Sequence, residues 1–187
     1  MALLRTSLTH PLQIATVQAS ADVGRIGITF CPGKYDPWAA TGGWQRDLSL
    51  DIAAIKHWGA AAVLTLVEQH ELISLKVADL GAEVQRRDMQ WHHLPIADYS
   101  VPGAAFETSW QTEGLHLRQL LRQQRDIVVH CKGGLGRAGM IAARLLIELG
   151  TPVDEAIKQV RQQRPGAIET SAQLALVRSY SALSDDV

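Results

Sequence analysis

Apolar positions along the chain switch between a period of two, unbroken runs, and a period near 3.6. Ile26, Ile28 and Phe30 alternate with Arg25, Gly27 and Thr29, which predicts a half-buried strand. Leu12 to Val17 reads as a second strand, and Ser20-Ala-Asp-Val-Gly24 as the turn that makes the two a hairpin. Tyr35 to Gly43 loses the pattern and is expected to be a loop, pinned to the body by Trp38 and Trp44. Leu48, Ile52, Ile55 and Trp58 then recur at helical spacing, with Gly59 as the stop. Continuous apolar runs at 61–67 and 127–129 predict strands buried on both faces, and Trp91 to Leu94 a shorter one ended by Pro95.

Helical periodicity occupies most of the intervals. It predicts helices over Glu68 to Leu80, closed by Gly81, and over Ala104 to Gln124, with Phe106, Trp110, Leu117 and Leu121 inward. The segment Met140 to Leu149 is apolar nearly all round, so its helix should be central, with Arg144 and Glu148 spaced to pair along it. Thr151 as N-cap and Pro152 open the next helix, and Pro165-Gly166 close it. A last helix starts near Thr170 or Ser171. Arg118, Arg122 and Arg125 suit a helix C-terminus and read as solvated, whereas Lys34, on a glycine-bearing turn, could meet substrate, with a solvated lysine the simpler reading.

The expected fold class is α/β: a central, mostly parallel sheet of about five strands with an N-terminal hairpin, flanked by helices on both faces. At 187 residues the chain suits a single domain over 1–187, with a frayed end at 184–187. A net charge of −1 speaks against nucleic acid or an anionic membrane as partner. The first 21 residues end in Ala19-Ser-Ala21 but lack an apolar core for a signal peptide, and two cysteines suit a reducing compartment, so a cytoplasmic protein is expected.

The chemistry concentrates in Asp126-Ile-Val-Val-His-Cys-Lys-Gly-Gly-Leu-Gly-Arg-Ala-Gly139. A strand ends at Cys131, and Gly133, Gly134 and Gly136 allow successive N–H groups to turn towards one point. That nest opens a helix whose first-turn N–H groups lack partners, an arrangement suited to an anion. Cys131 and Arg137 enclose five residues, about enough to wrap one tetrahedral oxyanion. A thiol so placed should be largely thiolate at neutral pH, and Arg137 can grip two phosphoryl oxygens at once. Gly134-x-Gly136-x-x-Gly139 also satisfies a dinucleotide fingerprint, but no strand with a terminal acid follows the helix. No Gly-Lys-Ser/Thr follows either, so a Walker loop is excluded. A merely structural cysteine on a tight turn leaves Arg137 unexplained.

His130-Cys131-x-x-Gly134-x-Gly136-Arg137 resembles the signature of the cysteine-dependent protein tyrosine and dual-specificity phosphatases. The ordered words Ile28-Thr-Phe-Cys-Pro-Gly-Lys34, His92-His-Leu-Pro-Ile-Ala-Asp98 and Gly166-Ala-Ile-Glu-Thr170 with Gln173 extend that resemblance towards the kinase-associated phosphatase branch. The resemblance implies a phosphomonoester hydrolase without metal or cofactor, acting on a phosphorylated protein or peptide. Cys131 would be the nucleophile and Arg137 the phosphoryl clamp. Asp98, on a loop about thirty positions before Cys131, would be acid and then base. Lys132, Gly133, Gly134, Leu135, Gly136 and Ala138 would line the phosphoryl group, with His130 anchoring the loop from behind. Gln173 matches a glutamine that positions the hydrolytic water, although a solvated first-turn glutamine is the other reading.

Ala138 departs from the family pattern, which usually has Ser or Thr there to hydrogen-bond the cysteine sulfur. That predicts a slow second step. Lys132 beside the nucleophile also resembles phosphoinositide phosphatases, which tend to carry a second basic residue where this chain has Leu135 and Ala138. A low-turnover phosphate-binding module is the alternative of another class. Adjacent residues of a strand face opposite ways, so His92 and His93 should not share a metal. Cys31 could form a disulfide with Cys131, but a plain strand-end cysteine is the simpler reading.

Overall fold

The computed structural model describes residues 4–40 and 42–184. The expected hairpin is present as β1 (Ala15–Val17) and β2 (Ile26–Thr29), paired antiparallel. The segment read as a loop carries a small ribbon of its own, β3 (Tyr35–Asp36) and β4 (Trp44–Gln45). Trp44 is buried in it, but Trp38 is 92% exposed and pins nothing. Helix α1 (Leu48–Trp58) has the predicted bounds, and Gly59 closes it at φ 110°. Asp47 caps its start by accepting from the Leu50 N–H at 2.8 Å.

Strand β5 (Ala60–Thr65) follows. The single helix expected over 68–80 is instead two, α2 (Gln69–Ser74) and α3 (Leu80–Gln85). Lys76 takes a left-handed φ of 59° between them. Gly81 lies inside α3 rather than closing a helix, and it is a glycine that packs where a Cβ would collide with the Trp91 ring. After β6 (Gln90–His93) come α4 (Ala104–Arg122), β7 (Asp126–His130), α5 (Gly136–Glu148), α6 (Val153–Gln163) and α7 (Ser171–Val177). Pro152, not Thr151, is the capping residue of α6, and the buried Thr151 hydroxyl has no hydrogen-bond partner among the described residues.

The main sheet has the order β1-β2-β7-β5-β6, antiparallel only between β1 and β2. Helix α1 packs on β5 and α3 on β6, while α5 packs on β2 and β7, α6 on β1 and α4 on β7. Strand β7 is therefore central, and Ile127, Val128 and Val129 are fully buried, as their unbroken apolar run demands. Every residue of α5 is buried too. At roughly 1.5–3 kcal/mol per large apolar side chain removed from water, this strand–helix unit is a stiff mount for the loop between its halves.

Arg118 corrects another expectation. It is 4% exposed rather than solvated, and it pairs with Glu148 at 2.6 Å. Glu148 also accepts from Trp110 and Arg144, so one buried carboxylate gathers two cations and an indole.

Candidate active site

In a parallel sheet, functional loops collect at the carboxyl ends of the strands. Cys131 stands at that end of the central strand, and the chain turns through 132–135 into α5. Gly134 makes the turn possible. It sits at φ +68°, and a Cβ there would lie 2.5–2.6 Å from the backbone of Thr29 and Phe30 in the neighbouring strand.

The loop's carbonyl groups are all held from outside. The Cys131 carbonyl faces Nδ1 of His130 at 3.3 Å. That of Lys132 accepts from the Cys31 N–H at 3.2 Å and from Lys34 Nζ at 3.3 Å. Arg164 donates to Gly133 and Gly134 oxygens, both at 2.9 Å. The Leu135 carbonyl accepts from the N–H groups of Gly139 and Ile168. Because C=O and the following N–H are antiparallel in a planar peptide, carbonyls held outwards turn the amides inwards. The Gly134 N–H points at Cys131 Sγ, 3.2 Å away. Among the described residues, the N–H groups of Lys132, Gly133, Leu135, Gly136, Arg137 and Ala138 have no acceptor. A ring of unspent donors around a sulfur is an oxyanion cup.

Arg137 forms one wall. Its side chain is nearly fully buried, and its Nη1 and Nη2 donate to the two oxygens of Glu71 at 2.6 and 2.9 Å. Nη1 also reaches the Ile96 carbonyl at 2.9 Å, and Nη2 pairs with Asp98 Oδ1 at 3.0 Å. Its Nε–H is buried with no partner among the described residues, although a guanidinium left unsatisfied in the interior is costly. The Nε is thus a donor free for an acceptor, on a residue that lines the cleft. Burial would lower the Arg137 pKa, but the hydrogen bonds and charge of Glu71 outweigh it, so the group is held above its ordinary value. Burial likewise pushes Glu71 up, and the bonds from Arg137 and the Glu68 N–H overcome this and hold it down.

Asp98 is brought to the same cleft. Its side chain is half exposed and accepts from the Tyr99 N–H at 3.0 Å. Tyr99 adopts φ +55°, an uncommon conformation for a non-glycine residue, held by the surrounding loop. The cleft has a volume of about 360 Å³, and Lys34, Asp98, Cys131, Lys132, Arg137 and Glu169 line it. Lys34 is 5% exposed, which corrects the solvated reading, and it stands in the cleft lining, where the substrate-meeting reading needs it.

His130 is fully buried behind the cup. Its Nε2 lies 2.7 Å from the Thr65 hydroxyl, which also accepts from Trp91 Nε1 at 2.9 Å. The carbonyl of Cys131 can only accept, so Nδ1 carries the proton and Nε2 accepts from Thr65. Burial lowers this imidazole to about 4, which keeps it neutral at physiological pH. Gln173 is fully buried and outside the cleft lining. Its Oε1 accepts from the Glu169 and Thr170 N–H groups, and its Nε2 donates to the Ser100 carbonyl at 3.1 Å. It therefore ties α7 to the loop that carries Asp98. His92 and His93 face apart as expected, one to Glu113 and the other to the Val67 carbonyl.

Glu71, Arg164 and Glu169 did not emerge from the sequence. The spacing of Glu68 and Glu71 at a helix start is the one local signal for Glu71. The carboxylate of Glu169 lies over Gly136, where a Cβ would meet its Oε2 at 2.5 Å.

Residues 44–151, more than half of the chain, match the family described as "Polymorphic toxin system, DSP-PTPase phosphatase". The human cyclin-dependent kinase inhibitor 3 is 32% identical over 73% of this chain, which spans 64% of that protein's length. A Drosophila melanogaster PRL-1 phosphatase is 43% identical, over 73% of this chain and 86% of its own. Among solved structures, kinase-associated phosphatase with serine in place of its catalytic cysteine superposes with a TM-score of 0.76 at 27% identity, covering 89% of this chain and 92% of that one. Tk-PTP in its active form gives 0.62 at 26%, covering 88% and 94%. With a cysteine, an arginine and a ring of inward amides in one cup, and with these relatives, the chain belongs to the cysteine-dependent protein tyrosine phosphatase family, in its dual-specificity group.

Proposed function

We propose that the protein hydrolyses phosphomonoesters on a phosphorylated protein, phosphotyrosine and also phosphoserine or phosphothreonine, through a phosphocysteine intermediate. The observation that carries this is the set of unspent donors on the loop that follows Cys131, above all the buried Arg137 Nε, in a cleft that Cys131 and Arg137 both line. In the first step the Cys131 thiolate attacks phosphorus and an S–P bond forms as the P–O ester bond breaks. The inward amides and Arg137 hold the equatorial oxygens, where charge must be stabilised. Asp98, close enough to pair with Arg137, gives its proton to the departing oxygen. In the second step it takes a proton from water, whose oxygen replaces sulfur on phosphorus and regenerates the thiolate. His130 supports the loop as a neutral anchor, and Gln173 positions the Asp98 loop through Ser100. The electrostatic work a metal would do is assigned here to amide dipoles and one guanidinium.

Release of an aryl alcohol from an aryl phosphate, undiminished by EDTA and abolished by Cys131→Ser, supports this function. Tight capture of phosphopeptide without phosphate release would replace it with the binding-module reading. An Asp98→Ala trap presented with phosphopeptides and phosphoinositides identifies the substrate class. Enrichment of lipid headgroups over phosphopeptides would overturn the protein-substrate assignment.

A further inference from the structure

Lys34 has an unusual position. Its ammonium is buried, yet no carboxylate lies within ion-pair distance of it among the described residues. A buried lysine ordinarily needs such a partner. It lies instead 4.8 Å from the Phe30 ring centroid and 5.5 Å from that of Trp44, and it spends one N–H on the Lys132 carbonyl at 3.3 Å. The Gly33 N–H and Arg46 both bond Asp51, which fixes the turn that delivers Lys34. Burial lowers the basicity of Lys34, while Cys31, Asp36 and Cys131 act to keep it charged.

We propose that Lys34 is a positioning residue of the phosphatase reaction: by holding the Lys132 carbonyl on the outer side of the loop, it aims the Gly133 N–H at the phosphoryl group. The Lys132–Gly133 peptide leads into the glycine pair, and Gly133 has nothing within 4 Å of its Cβ direction to fix it sterically. Arg164 holds the next two carbonyls, and on this side Lys34 shares the Lys132 carbonyl with the Cys31 N–H, adding the one charged donor to that oxygen among the described residues. A positive charge at the oxygen end of that peptide also reinforces its dipole, whose N–H end would meet a bound oxyanion.

This inference rests on the phosphatase reading, and the experiment separates the two. Lys34→Met keeps the bulk of the stem and removes the charge and the donor, whereas Lys34→Arg keeps both. With an aryl phosphate as substrate and inorganic phosphate as inhibitor, Lys34→Met should raise the inhibition constant about tenfold and lower kcat/KM at least as much, with Lys34→Arg recovering most of the loss. Unchanged inhibition by phosphate in a folded Lys34→Met would overturn the proposal. An inactive wild type that binds no phosphate would overturn the phosphatase reading instead. If Lys34→Met does not fold, the wild type alone suffices. Titration with inorganic phosphate should move the Gly133 amide proton downfield together with those of Gly134 and Leu135, and a silent Gly133 would refute the role.

Discussion

Helix α5 carries two buried arginines two turns apart, and they differ in one hydrogen bond. Arg144 is complete: its Nε bonds Glu148 at 2.7 Å, its Nη1 and Nη2 bond Glu107 at 2.9 Å each, and Nη1 reaches the Tyr180 hydroxyl at 3.3 Å. The rings of Trp110 and Tyr180 lie 4.7 and 4.4 Å from its guanidinium carbon. Arg137 has a bidentate glutamate, a carbonyl and an aspartate, but its buried Nε is unspent. The same side chain on the same helix is thus a structural rivet in one place and an unfinished site in the other. A closed network stabilises a fold, whereas an open one stores a donor for a ligand.

Substitution should expose that division most strongly at Arg137. Arg137→Lys removes the planar fork and should lower kcat/KM by roughly 10³-fold with little change in secondary structure by circular dichroism. Arg144→Met should do the reverse. It leaves Glu148 and Glu107 short of a partner, which should cost on the order of 3 kcal/mol in urea unfolding while kcat at 25 °C changes less than a few-fold. If Arg144→Met cut kcat as deeply as Arg137→Lys, the contrast between rivet and site would fail.

A second contrast concerns what stays neutral and what stays charged. His130 is lowered from 6.5 to about 4 by burial, so between those values the unfolded chain binds a proton that the folded protein refuses. Stability should therefore fall as pH drops from 6.5 to 4, by about 1.4 kcal/mol per pH unit from this group. Glu71, whose pKa is held down in the fold, contributes stability above its unfolded pKa and loses it at still lower pH. Urea unfolding across pH 7 to 4 measures the slope, and His130→Gln should flatten it whatever it does to the absolute stability.

The smallest predicted effect lies at Ala138. Among the described residues the one hydrogen bond to Cys131 Sγ comes from the Gly134 N–H, and the buried Ala138 brings no hydroxyl. Ala138→Ser should speed dephosphorylation of the phosphoenzyme a few-fold in single-turnover work, without changing the first step. An unchanged rate would show that the missing hydroxyl does not limit the second step.

The unbroken run Ile127–Val129, the glycines after it and the all-apolar α5 are local features, and they announced the central strand, the cup and its mount. Asp98 was legible because a strand end followed by a turn is a local feature too. Glu71 and Arg137 meet across 66 positions, and Arg164 reaches Gly134 across 30, so no periodicity records either contact. Lys34 and Arg118 looked solvated because charge is the best local guide to exposure, and here aromatic faces and a buried carboxylate overrule it. Gln173 was read for its side chain's chemistry; its amide accepts from Glu169 and Thr170 and gives one N–H to Ser100, long-range contacts that no local pattern records. The split of the 68–80 helix at Lys76 had no proline or glycine to signal it.

Nitrogen-15 NMR of the arginine Nε–H groups during titration with inorganic phosphate probes the stored donor itself. The Arg137 Nε proton should move downfield as phosphate binds, while that of Arg144 stays in place. An Arg137 signal unmoved at saturating phosphate, or a shift at Arg144 instead, would contradict the account.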